Sequence, residues 1–396
     1  MAIAGDGNTI DLTTLACSTI SLTTGALSTT ADNLTIDGPG RDALTIDAGY
    51  SDAFYNNAIY HFGTGTIAIE GVTIRDAKYA GDFPYGGCIY SEGSILLRNA
   101  TISSCTLYTT SLNAVRGGAI YAKGAVAAEY STIAGSLAAS FTSRAFGGAI
   151  DALGVTLRHA TLDGNVAYST EFGVGGGAFS RGGATIDAST ISANTASHNI
   201  GGLVANGSGT YATDILNSTI SGNSAGNVIG GLASVSTMTV RNSTIAFNVA
   251  EASDCSNYGY AECGAGLQAV GAATLQSTIV ANNIAGASPL DVGVGSAGTI
   301  GGADNLVPAS ATPLPADTLA ADPLLSPLAD NGGATRTHAL ADGSPAIDAG
   351  SNGAGAQSDQ RGAGFARVAG AAVDIGAFER QGPGDGDVLF VGGFDP

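Results

Sequence analysis

Apolar and polar positions along this chain do not follow a helical spacing. Short alternations of apolar and hydroxyl-bearing residues are broken every few positions by glycine, whereas an amphipathic helix needs apolar residues at i, i+3, i+4 and i+7. One alternation keeps returning. It holds Thr101 in NATISSC, Thr132 in YSTIAGS, Thr161 in HATLDGN, Thr190 in ASTISAN, Thr219 in NSTISGN, Thr244 in NSTIAFN and Thr278 in QSTIVAN. By subtraction the intervals are 31, 29, 29, 29, 25 and 34 residues. A second phrase keeps step with it, as GGCIY at Gly86, GGAIY at Gly117, GGAID at Gly147, GGAFS at Gly176, GGLVA at Gly201 and GGLAS at Gly230. Two phrases locked at one period define a structural repeat. The unit lacks both the helical pattern and the leucine scaffold of leucine-rich repeats, so the expected fold is all-β: a parallel β-helix, or β-solenoid, in which each unit is one coil of about three short strands.

The fourth position after each Thr holds Cys105, Ser136, Asn165, Asn194, Asn223, Asn248 and Asn282. Asparagine at one turn position of successive coils can form a ladder, each amide donating to the next carbonyl across the roughly 4.8 Å strand spacing. The expected ladder is Asn165, Asn194, Asn223, Asn248 and Asn282. Strand alternation then turns Ile102, Ile133, Leu162, Ile191, Ile220, Ile245 and Ile279 inward and sets the Thr column on the surface. An ice-binding surface would want a second Thr column two residues on, but Ser103, Ala134, Asp163, Ser192, Ser221, Ala246 and Val280 stand there.

Composition narrows the function. The 396 residues carry a formal charge of −19, from 33 acidic residues against 14 Lys plus Arg, which argues against a surface that neutralises phosphates. Nucleic acid is therefore not an expected partner. No cofactor is called for, although carboxylates of acidic exported proteins can bind Ca²⁺. No run of 18 apolar residues spans a bilayer as a helix. The start, MAIAGDGNTIDL, lacks a basic segment followed by an apolar one, and the expectation is an exported chain whose signal peptide has been removed. Cys255 and Cys263 flank SNYGYAE, a spacing that a small disulfide-closed loop can bridge, the alternative being two free thiols. The pairing of Cys17, Cys88 and Cys105 is open.

Several stretches now resemble one family. GGAIY and NSTISGN are similar to coils of right-handed, single-stranded parallel β-helix repeat proteins, including the polymorphic outer-membrane type of bacterial surface proteins. The early stretch CSTISLTTGALSTTADNLTIDGPGRDALTID resembles their entry segment. ADNGGATRTHALADGSPAIDAG followed by DQRGAGFARVAGAAVDIGAFE resembles the choice-of-anchor Q domain that ends many secreted or surface-displayed β-helices, departing from it at FARV. The resemblance covers nearly the whole chain and implies a fold, export and an extracellular or bacterial cell-surface setting. It implies no catalytic residue.

The organisation follows: an N-terminal cap and first coils over 1–45, coils over 46–300, and a Pro-rich flank segment with a C-terminal cap over 301–396. Variable loops lie between the Asn position and the next GG phrase, where insertions on a solenoid build a binding face. Tyr85, Tyr108, Tyr168, Tyr258 and Tyr260 crowd those loops and are the candidate ligand-binding residues, since aromatic rings stack on sugars. With Ile89, Ile120, Ile150 and Phe179 inward, the outward column would be Tyr90, Tyr121, Asp151 and Ser180, with Glu92 and Lys123 in the next one. Tyr90, Glu92, Tyr121, Lys123 and Asp151 could supply a β-elimination site on an acidic polysaccharide with base, charge neutraliser and Ca²⁺ ligand. Glycoside hydrolysis is the poorer enzymatic fit, because no paired carboxylates stand on one strand. Ser-His chemistry finds no strand-to-helix serine elbow, and His61, His159, His198 and His338 lie in unrelated phrases. His338 is expected to be structural. The reading is an adhesin-like surface or secreted β-helix that binds glycans or cell surfaces. A polysaccharide lyase is the alternative, and a purely structural or ice-binding solenoid the minor one.

Overall fold

The computed structural model describes residues 5–49, 56–252, 255, 263–310 and 312–382. The protein is all-β: a parallel β-solenoid of about 10 turns, with no helix among the described residues. Among the described residues the strands collect into sheets of 19, 10 and 9 strands, with a smaller sheet of 3 outside them. The largest, wall 1, carries the GG phrase and the segment after it; its two runs of strands merge in the long strands Ile120–Glu129 and Ile150–Arg158. Wall 2 is built from the Thr-Ile phrase, as in Thr132–Ala134 and Thr219–Ser221. Wall 3 follows the Asn corner, as in Val166–Ser169. The small sheet, a flap, pairs Val115–Arg116, Arg144–Phe146 and Phe172–Val174.

Each repeated phrase has a physical cause. Gly117 and Gly147 turn the chain at φ 69° and 66°, in the left-handed region that costs other residues strain. A Cβ on Gly118 would strike the carbonyl oxygen of Gly148 in the next coil. Inward Ile and Leu stack in register, Ile102 on Ile133 on Leu162 on Ile191 on Ile220, all fully buried. The Asn amides run as a ladder at the corner between walls 2 and 3. Asn165 Nδ2 donates to Asn194 Oδ1, Asn194 Nδ2 to Asn223 Oδ1 and Asn223 Nδ2 to Asn248 Oδ1, each at 2.9 Å. Every amide also donates to a carbonyl in the coil before it, as Asn223 does to Ile191 O at 3.0 Å. A serine ladder marks the corner before wall 2, the backbone N–H groups of Ser189 and Ser218 donating to Ser218 and Ser243 Oγ at 3.1 Å.

The ladder corrects one expectation. Its next member is Asn283, not Asn282: Asn248 Nδ2 donates to Asn283 Oδ1 at 2.9 Å, while Asn282 occupies the left-handed corner at φ 60°. The last coil is slipped by one residue against the phrase match, pairing Thr244 with Ile279 and Ile245 with Val280. Val280 therefore enters the core, and Ile279 points outward into a separate apolar cluster with Ala339, Leu340, Ile375 and Phe378.

That cluster belongs to the C-terminal segment, which folds back over wall 2 and corrects a second expectation. Thr190, Thr219 and Thr244 do not face solvent. Thr190 Oγ1 donates to Arg336 O (2.7 Å), Thr219 Oγ1 to Gln360 Oε1 (2.6 Å), and Thr244 Oγ1 accepts from the Ala377 N–H (3.0 Å). Arg361 pins the segment together, held by Asp359 at 2.8 Å and sandwiched between the Phe365 and Phe378 rings, each 3.9 Å away.

Beside it Glu379 is fully buried, and burial pushes its carboxyl up to about 7 from the ordinary 4.5, against the N–H groups of Asp374 and Ala369 that favour the charged form. A carboxyl that keeps its proton to about 7 when folded and releases it near 4.5 when unfolded binds more protons in the native state between those values. Stability is then fully present below about 4.5 and is lost as pH rises through that window. Thermal melts should accordingly show a higher midpoint at pH 5 than at pH 7.5, and Glu379→Gln should flatten that difference; an unchanged difference in the variant would place the effect elsewhere.

Candidate functional site

Parallel pairing in wall 1 stacks equivalent residues of successive coils, so an outward position becomes a column. One column reads Tyr60, Tyr90, Tyr121, Asp151, Phe179 and Val204, in register along the first run of wall 1. Here a third expectation is corrected. Ala178, not Phe179, pairs with Ile150 and faces the core, so Phe179 takes the outward place and Ser180 is turned inward and buried. The extra glycine in GVGGGAFS shifts the phrase by one residue.

Aromatic rings fill the first part of the column. Tyr60 stacks with Phe62 (5.7 Å between centroids) and meets Tyr90 (6.1 Å), which stacks with Tyr121 (5.8 Å). Tyr85 leans in from the preceding loop to stack on Tyr121 at 4.9 Å. The Arg181 guanidinium lies 5.3 Å over the Tyr121 ring, and Phe62 is 50% exposed at the edge of the cluster. Two residues on from Tyr90 and Tyr121, Glu92 and Lys123 form an ion pair, and the Tyr90 hydroxyl donates to Glu92. Asp151 is fully buried between Arg116 (2.9 Å) and Arg181 (3.0 Å). Arg116 in turn covers the Phe146 ring of the flap at 4.6 Å.

The five residues considered for elimination chemistry thus stand together, and their electrostatics decide what they can do. Burial, reinforced by the Glu92 carboxylate, pushes the Tyr90 phenol above its ordinary value; burial raises that of Tyr121 and takes that of Tyr60 up to about 12. None of these phenols is a phenolate near neutral pH. The hydrogen bond to Glu92 holds the Lys123 ammonium above its usual range, and Lys123 in turn holds Glu92 below the usual carboxylate range. Burial pushes the Asp151 carboxyl upward while both guanidiniums pull against it, and each of its oxygens is already engaged. A general base needs a pKa near the working pH. This arrangement instead presents stacked rings flanked by paired charges.

Of the ligand-binding candidates, Tyr85 joins this cluster. Tyr108 and Tyr168 lie on wall 3, Tyr108 beneath the Lys78 ammonium and Tyr168 against Phe141 at 5.9 Å. Tyr258 and Tyr260 fall outside the described residues. Cys88 and Cys105 form a disulfide inside the core, Cα to Cα 5.4 Å, Cys105 taking the corner place that Asn fills in later coils, and Cys255 and Cys263 are also joined. Among the described residues no group of three or more His, Cys, Asp and Glu could hold a metal ion.

Sequence reasoning missed Tyr60, Phe62, Arg116 and Arg181. Tyr60 was within reach, since NAIYHF carries the Ile-Tyr of GGAIY without its glycines. The arginines carry no such signal, because Arg116 ends one loop and Arg181 follows a strand 65 residues later. Beyond them the column runs beneath the flap, where Phe146, Phe172, Phe179, Ile200 and Val204 line an apolar cleft of about 230 Å³. Compared with protein-family models, with curated proteins and with solved structures, the chain matches none.

Proposed function

We propose that this chain is an exported, surface-associated β-solenoid that binds glycans through the aromatic face of wall 1, as an adhesin-like module of a bacterial cell surface. One observation carries the reading: Tyr60, Phe62, Tyr85, Tyr90 and Tyr121 form a continuous stack across successive coils, with Glu92, Lys123 and Arg181 placed to hydrogen-bond ring hydroxyls or carboxylates. The periodicity of a solenoid suits a polymer, because each coil repeats the platform at the strand spacing of roughly 4.8 Å. The resemblance of residues 329–350 and 359–379 to a choice-of-anchor Q domain supports display at a surface.

A glycan array probed with the full chain, with and without Ca²⁺, tests this. Phe62→Ala, which removes the exposed ring of the cluster, should weaken the strongest signals by about tenfold, the effect of losing about 1.4 kcal/mol, while Tyr90→Phe keeps the stack and should bind nearly as the parent does. Equal retention of parent and Phe62→Ala would exclude this face. If uronate polymers instead gave an ultraviolet-absorbing unsaturated product, and Lys123→Ala stopped it, the lyase reading would replace it.

A further inference from the structure

A second constellation lies on a different face, where the C-terminal segment crosses wall 2. Ser221 ends the strand Thr219–Ser221 with its side chain outward, just before the left-handed Gly222. Its Oγ lies 2.8 Å from His338 Nε2, and His338 Nδ1 lies 2.7 Å from the backbone carbonyl oxygen of Ser326. A carbonyl can only accept, so Nδ1 carries the proton and Nε2 offers its lone pair to the Ser221 hydroxyl. That is the tautomer a general base needs, fixed by a main-chain oxygen in the orienting role that a carboxylate plays in a triad. Burial lowers the imidazole below its ordinary value and keeps it neutral at pH 7.

The pair opens onto a pocket of about 570 Å³, within the range of small-ligand sites. Phe247, Leu325, Pro327 and Leu328 form its apolar wall, and the Phe247 ring packs 5.1 Å from the imidazole. The charged groups at the rim are Arg336 and Asp163, paired at 2.7 Å. Arg336 also donates to Ser192, the residue that pairs with Ser221 in the neighbouring coil, and lines the same pocket as Ser221. The Gly222 N–H is committed to Ala246 O, which leaves Arg336 as the cation available to a developing oxyanion.

We propose that Ser221 and His338 form a nucleophile–base dyad that hydrolyses carboxylic esters carrying a compact apolar acyl group. Ser221 Oγ attacks the ester carbonyl carbon as its proton passes to His338 Nε2. The carbon–oxygen bond to the alcohol then breaks, and the same proton leaves with the alcohol. Water, deprotonated by Nε2, attacks the acyl-serine, releasing the carboxylic acid and restoring the Ser221 hydroxyl. No metal, oxidant or cofactor enters the balance.

A fluorophosphonate probe, which needs only an activated serine, tests the dyad on the intact folded chain, with p-nitrophenyl acetate hydrolysis read in parallel. Peptide mapping should find one adduct, on Ser221, formed at least about 100-fold faster than in the urea-unfolded chain. Labelling should slow as pH falls through the His338 ionisation, a readout that needs no variant, and Ser221→Ala should abolish both labelling and esterase activity. An adduct absent from Ser221, spread over several serines, or formed no faster than in urea would overturn the proposal. So would labelling that ignores pH between 4 and 8. Glycan retention on wall 1 should be the same in Ser221→Ala, so the two readings fail separately.

Discussion

Replacing Asn223 by alanine is expected to destabilise the solenoid by about 4 kcal/mol, read as a lower urea midpoint at unchanged slope. Asn223 is fully buried and serves both neighbours: its Oδ1 accepts from the N–H and Nδ2 of Asn194 (3.0 and 2.9 Å), and its Nδ2 donates to Asn248 Oδ1 and Ile191 O (2.9 and 3.0 Å). Alanine leaves the Asn194 N–H and one Nδ2 hydrogen of Asn194 without acceptors and takes a donor each from Ile191 O and from Asn248 Oδ1, which keeps only the backbone N–H of residue 223. Each buried group left unsatisfied costs about 1–3 kcal/mol before relaxation. The corner itself is unaffected, because the left-handed residue is Gly222. Asn282 supplies the contrast. It holds the left-handed place in its own coil and stands outside the ladder, so Asn282→Gly should leave stability within about 0.5 kcal/mol of the parent, whereas Asn283→Ala should behave like Asn223→Ala. If Asn282→Gly proved the more damaging of the two, the register of the last coil would be wrong.

Arg361→Ala is expected to undock the C-terminal segment at a cost of about 3–5 kcal/mol, the usual penalty for removing one partner of a buried ion pair. The substitution strands Asp359, empties the space between the Phe365 and Phe378 rings, and removes a donor from Glu379 O. Coils of a solenoid are stabilised mainly by their neighbours. The β-sheet circular dichroism signal should therefore persist while limited proteolysis begins to cut between about residues 320 and 380. Such undocking would uncover Thr190, Thr219 and Ile279 and separate His338 from Ser221. Simultaneous loss of sheet signal and segment would instead show that the solenoid cannot stand without its cover.

The architecture was readable because a solenoid writes each structural demand once per coil. Glycine where coils approach, isoleucine where they stack and asparagine where they turn recur at one spacing, and each has a local cause. Two of the expectations that failed did so by a single residue. Phe179 and Ile279 both follow a one-residue slip that leaves the phrase recognisable while reversing which side chain faces inward. The Thr column failed differently. Alternation correctly turns Thr219 out of the core, but only the path of a segment some 140 residues later decides that Gln360 covers it. The same holds for Ser221 and His338, 117 residues apart, and for Arg116 and Arg181 on Asp151. The aromatic face was half legible, in Tyr85, Tyr90 and Tyr121, because it repeats; its arginine partners were not, because they do not.

The amide ladder has a direction, and it ends. Each Asn passes donors forward until Asn283, whose N–H and Nδ2 both reach Asp291 Oδ1 at 2.9 Å, while the second oxygen of Asp291 accepts from the Ala309 N–H at 3.0 Å. A carboxylate receives on both oxygens and has nothing to hand on. Asp291 is thus a chemical full stop. Duplicating a coil between Asn194 and Asn248 would leave every amide with a giver and a taker, whereas a coil added beyond Asp291 would begin with no partner for its corner. Lineages of this protein that differ in length should accordingly have gained or lost coils in the interior of the run, with the punctuation at its end left in place.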